Sequence, residues 1–238
     1  MRTVFGVLSA AVFLVSAQVA FADEVSFSGS SGTLSATATF SSSGDGNLVV
    51  TLTNTSTTDA LVPTDILTGV FFTSSATLSP VTATVAAGSV YNFPLVVNVG
   101  GEWAYNSGIS GPNSTNQGLS ASGLGLVSPT DVFPLSPNLQ GPNSVAGVNF
   151  GLAPTGDNPL TGNGGLSGEG LIKDTVTFTL SGWTGSLSDI TNVWFQYGTC
   201  IGEPGFGGGK TPEPASMLLL GIGAAGIAFA RRRKLGKA

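Results

Sequence analysis

The sequence predicts an all-β body, a β-sandwich of about eight to ten short antiparallel strands, followed by a C-terminal transmembrane helix. Three observations carry that expectation. Runs such as Leu34–Phe40 and Thr175–Leu180 alternate apolar and hydroxyl residues with a period of two, the pattern of a strand with one buried face. Clusters of Gly, Asn, Ser and Pro separate those runs and supply turns. No part of the body has capped helical periodicity, whereas Ala215–Ala230 is an apolar run at the short end of the roughly 17–25 residues that span a bilayer.

Taken in order, Met1-Arg2-Thr3 and the apolar stretch from Val4 to Ala20 have the parts of a secretory signal peptide. Ala20 and Ala22 flank Phe21 as a small-x-small cleavage site before Asp23. Residues 1–22 are therefore expected to be removed, leaving a sandwich body over 23–202, a Gly-rich spacer over 203–210 and a tail over 211–238. In the body, Val25–Phe27 and Leu34–Phe40 read as strands. Ser43–Asn47 turns the chain into Leu48–Leu52, giving a hairpin. Ile66–Thr73 is a further strand with a heavier apolar load, and Leu78–Val85 is expected to pair with Ser89–Phe93 around Ala86–Gly88. Leu95–Val99 comes after Pro94, a residue that starts a strand but does not sit in its middle.

Residues 106–170 are dense in Gly, Asn, Ser and Pro. They are expected to be long ordered loops laid over a sheet, because apolar islands such as Leu124–Leu126, Val132–Phe133 and Val148–Phe150 recur among them. Val145–Leu152 is the one strand expected there. Leu171-Ile172, Thr175–Leu180 and Ile190–Tyr197 complete the strands. Cys200–Gly209 reads as an extended spacer that keeps the Pro212–Pro214 segment accessible.

The tail has three parts in fixed order: Pro212-Glu213-Pro214, an apolar run, and the basic cluster Arg231-Arg232-Arg233-Lys234. Basic residues are retained on the cytoplasmic side, so the body is expected outside the cytoplasm. Gly221–Gly226 spells a dinucleotide-binding string, but it has no strand before it and no βαβ unit after it; small residues in a membrane helix account for it better. The tail resembles the PEP-CTERM sorting tail of exosortase substrates in Gram-negative bacteria, on Pro212–Pro214, Met217–Ala230 and Arg231–Lys234. That resemblance implies a membrane-held intermediate, processing by exosortase near Pro212–Pro214, and delivery to the cell surface or extracellular matrix. Leu48–Thr55, Asp65–Phe72, Gly147–Gly151, Gly162–Gly165, Leu171–Leu180 and Asn192–Thr199 look like stretches of one glycine-rich class of exosortase-dependent surface proteins. The class brings no catalytic assignment with it.

Charged residues make up 9% of the chain, so solubility rests on Ser, Thr, Asn and Gly. Between Asp23 and Lys210, twelve acids stand against the two bases Lys173 and Lys210, which leaves no basic footprint for nucleic acid. There is no histidine, which removes the usual general base and the commonest zinc ligand. Cys200 is the sole cysteine, so no intramolecular disulfide forms. Glycoside hydrolysis needs only two carboxyl groups, and Asp65, Glu102, Asp131, Asp157, Glu169, Asp174 and Asp189 are the candidates for such a pair; turn and surface roles fit so few acids better. Asp45-Gly46-Asn47 and Asp157-Asn158 have calcium-ligand types but read as plain turns. No enzyme activity, metal or cofactor is expected. Trp103 and Tyr105, at i and i+2 beside a loop, are the candidate contact for an extracellular polysaccharide. The expected role is a structural or adhesive surface protein. Its rivals are a carbohydrate-binding module and a glycosidase-like hydrolase.

Overall fold

A computed structural model describes residues 24–122, 139, 147–212 and 222–223. Its first strands are β1 (Glu24–Ser31), β2 (Leu34–Ser42), β3 (Asn47–Asn54), β4 (Leu67–Thr73), β5 (Ser79–Thr84), β6 (Ala104–Ser107) and β7 (Gln117–Ser120). The two-residue β8 (Leu152–Ala153) and β9 (Ile172–Lys173) come next, then β10 (Thr175–Ser181), β11 (Thr191–Tyr197), β12 (Gly205–Gly207) and β13 (Gly209–Thr211). They form two sheets. The first runs β13-β1-β2-β3-β10-β5, and the second runs β12-β11-β4-β7-β6 with β8 beside β4 and β9 beside β8. All pairs are antiparallel except β8 with β9.

Period-two alternation builds the first sheet. Ala36, Ala38 and Phe40 of β2, Leu48, Val50 and Leu52 of β3, and Val176, Phe178 and Leu180 of β10 point inward and are buried. The hairpin expected around Ser43–Asn47 forms, with Phe40 opposite Val50 and Ala38 opposite Leu52. Gly32, at φ 62°, takes the first position of the two-residue turn joining β1 to β2, where a side chain would be strained. Aromatic rings bridge the sheets: Phe40 meets Phe72 at 5.2 Å, and Trp103 meets Phe178 edge-on at 4.8 Å. β4 is buried on both faces. Leu67, Val70 and Phe72 join this main core, while Phe71 packs outward with Ala104, Ile109 and Trp194.

Four expectations need correction. Ser89–Phe93 is not a strand: only Val90 bridges, to Ile172, and Asn92 at φ 65° turns the chain away. Leu95–Val99 is not one either. It meets the end of the edge strand β5 through Val85 N to Val97 O and Val99 N to Ala83 O, both 2.9 Å, and Leu95 is left 93% exposed. Within 106–170 the chain forms the β6–β7 hairpin, which composition hid because β7 is a polar strand that is buried. Gln117 Nε2 donates to Ser74 O and Ser120 Oγ to Thr68 O, so their burial is compensated. Val145–Leu152 gives only the start of β8, since residues 147–150 form a turn with Phe150 at φ 57°. Leu124–Leu126 and Val132–Phe133 lie outside the described residues.

The fourth correction concerns the expected spacer. Residues 205–211 form β12 and β13, so this Gly-rich stretch belongs to the sandwich and Ile190–Tyr197 is not its last strand. Among the described residues no helix is long and apolar enough to cross a membrane; the expected span at 215–230 lies outside them but for Ile222 and Gly223. Phe206, 8% exposed, packs on Phe195 and Tyr197 with ring centroids 5.7 Å away in each case. Phe206→Ala should lower the unfolding free energy of the body by about 3 kcal/mol in denaturant titration; an unchanged transition would mean that this stretch is a free spacer after all.

Candidate functional site at the sorting junction

The tail leaves the body through a segment that is tied down at every step. β11 ends at Tyr197, and Gly198 at φ 79° opens a tight loop. The Glu203 carboxylate closes that loop, accepting the N–H groups of Thr199 and Cys200 and the Thr199 hydroxyl. On the other side, Gln196 Nε2 lies 2.9 Å from the carbonyls of Tyr197 and Cys200. The chain then pairs as β12 with β11, Phe206 opposite Phe195. At Gly208 it crosses from the second sheet to the first. A Cβ there would sit 2.9 Å from the Phe195 ring and 3.2 Å from Phe27, so the crossing needs a residue without one.

β13 then pairs with β1, Gly209 opposite Ser28 and Thr211 opposite Ser26, and Thr211 Oγ1 donates to Ser26 O at 3.0 Å. Pro212 has no N–H and cannot extend the ladder. Because the pair is antiparallel, Thr211 and Glu24 lie toward the same end of it. Glu24, next to the expected signal cleavage, and Pro212, the first residue of the sorting segment, therefore flank one end of one strand pair. Ala20, Ala22, Asp23, Glu213, Pro214, Arg231, Arg232 and Arg233 themselves lie outside the described residues.

A family model for the PEP-CTERM protein-sorting motif matches residues 210–234, so the match begins inside β13. The chain carries a PEP-CTERM sorting motif. No match was found among curated proteins or among solved structures. The motif implies export and exosortase-mediated surface localisation, and its first Pro stands directly beyond a hydrogen-bonded strand of the folded body.

The expected sugar contact is corrected. Trp103 and Tyr105 do share a face, as their spacing required, but it is the core face. Trp103 is fully buried with its Nε1 donating to Phe150 O, and Tyr105 donates its hydroxyl to Gln117 Oε1. Burial pushes the Tyr105 pKa up to about 12, and neither ring has a face to offer a glycan.

The acids are mostly spent on backbone. Asp65 accepts from Leu61 N and Val62 N, and Asp189 from Ser186 N. Asp174 at φ 60° turns the chain between β9 and β10, and Asp131 lies outside the described residues. Glu102 is nearly buried, which holds its carboxyl above the ordinary range. Asp157 instead meets Asp59, an acid outside the candidate set that sequence spacing gave no reason to choose. Asp157 accepts from Ala60 N at 3.0 Å, and Asp59 accepts from Asn158 N at 2.7 Å and from the Thr161 hydroxyl, clipping two loops together. Burial raises the Asp157 pKa, while hydrogen bonds, led by Thr161, lower that of Asp59. Among the described residues no group of three or more His, Cys, Asp or Glu is placed to hold a metal.

A raised aspartate contributes stability that is complete below its unfolded pKa and lost as pH rises through its folded one. Asp157→Asn mimics the protonated form. Thermal melts should therefore show the variant more stable than the parent at neutral pH, with the gap closing below the ordinary aspartate range. A gap that widened on acidification would contradict the assignment.

Proposed function

We propose that this PEP-CTERM protein is a non-enzymatic structural or adhesive component of the cell surface or biofilm matrix. In this reading residues 1–22 direct export. The apolar run before Arg231 then holds the chain in the inner membrane as an intermediate, and exosortase acts near Pro212–Pro214. The observation that carries the reading is the junction itself: the motif is attached to a closed sandwich through β13, with no free spacer between them. What is delivered is thus a finished domain, and its acids serve as caps for the backbone. The histidine-free composition supports a role without catalysis.

A second reading, a carbohydrate-binding module, draws support from the hydroxyl-rich outer face of the first sheet, where Glu24 is the one charge at the outward strand positions. The test of the main reading is intact mass and fractionation in the native host. The parent should lose its tail and appear at the surface, and a chain with Pro212, Glu213 and Pro214 all replaced by Ala should stay full-length in the inner membrane. A parent retained uncut in that membrane, or a triple variant sorted like the parent, would contradict it.

A further inference from the structure

The two outer faces of the sandwich are built differently. On the second sheet, Phe71, Ala104, Ile109 and Trp194 cover one another. On the first sheet the outward positions of β2, β3 and β10 are Ser, Thr or Asn, with Val49 the one exception, and none is charged.

Register aligns these groups. Thr211, Ser26, Thr39, Thr51, Thr177 and Thr84 are successive cross-strand partners, a hydroxyl row that crosses all six strands. A second row, Ser28, Thr37, Thr53 and Thr175, lies beside it. Strand geometry sets the grid at about 4.8 Å between strands and about 6.7 Å along them. All of these side chains keep part of their surface in solvent. Several fix one another: Ser26 Oγ lies 2.7 Å from Thr39 Oγ1, and Thr53 Oγ1 lies 3.1 Å from Thr175 Oγ1.

We propose that this hydroxyl grid is an adhesion surface for a neutral polysaccharide. The inference rests on the surface role proposed for the protein and supplies its ligand class and site. Hydroxyls oriented by their neighbours lose little freedom on binding, and the threonine methyls between them suit the C–H faces of sugar rings. Each exposed hydrogen bond replaces one to water and gains little alone, so binding comes from many contacts along a repeating chain. Charge selects the class. The twelve acids and two bases of the body disfavour acidic polymers, and Glu24, at the outward end of β1, is the one charge at the outward strand positions of this face, too little to hold basic ones.

The test uses processed protein recovered from the host surface, sedimented with amorphous cellulose and, in parallel, with anionic alginate. The parent should sediment with cellulose and stay in solution with alginate. A variant carrying Thr39→Val, Thr51→Val and Thr177→Val keeps β-branched side chains and should keep its thermal transition, yet bind cellulose at least about tenfold more weakly. Equal binding by parent and variant, a preference for alginate, or no binding by the parent to cellulose would overturn the proposal. A parent that reaches the surface but binds no cellulose sinks this inference alone, since surface delivery is read separately by fractionation.

Discussion

The return of the chain from β12 to β13 is the constraint on which the rest of the structure depends. Phe206 fills the space against Phe195 and Tyr197 at the edge of the second sheet, and a few residues later Lys210 lies opposite Phe27 on the first. One short segment thus joins the edges of both sheets. The crossing works because Gly208 passes between Phe195 and Phe27, where a β-carbon would be crowded. The same segment runs straight into the sorting motif, so the stability of the body and the presentation of its tail are set by one set of contacts.

This coupling gives physical meaning to the composition. A chain with 9% charged residues has few ion pairs to hold its loops. Polar side chains take over that work: Glu203 and Gln196 order the loop before β12, Asp59 and Asp157 clip two loops together, and Gln117 and Ser120 make a polar strand compatible with burial. On the first sheet the outward hydroxyls fall into register because the inward Ala, Val, Leu and Phe residues fix the pleat.

Much of the fold is legible in the sequence where one rule governs. β2, β3 and β10 match their expected strands because one face packs on the core and the other meets solvent, so alternation records the fold directly. The sorting tail is legible because its three parts come in a fixed order. Legibility fails where tertiary partners override local pattern. Leu95–Val99 has strand composition but only the tip of β5 beside it, and β7 looks like a loop until its side-chain partners are known. Glycines 205, 207, 208 and 209 suggest freedom, whereas close approach to Trp194 and Phe195 at Gly205, and to Phe195 and Phe27 at Gly208, explains the two most crowded of them. Trp103 and Tyr105 share one face as their spacing implies, yet spacing does not say which face is the core. The Asp59–Asp157 contact depends on loop closure across the sequence, for which no local signal exists.

The most direct test of the account is amide hydrogen exchange across residues 205–211 in the full-length protein. If β12 and β13 close the sandwich, the backbone amides of Phe206 and Thr211 should be protected to an extent comparable with those of β1. Exchange there as fast as in an unstructured peptide would show that the segment is a loose tether. The structural link between body and sorting motif would then be wrong.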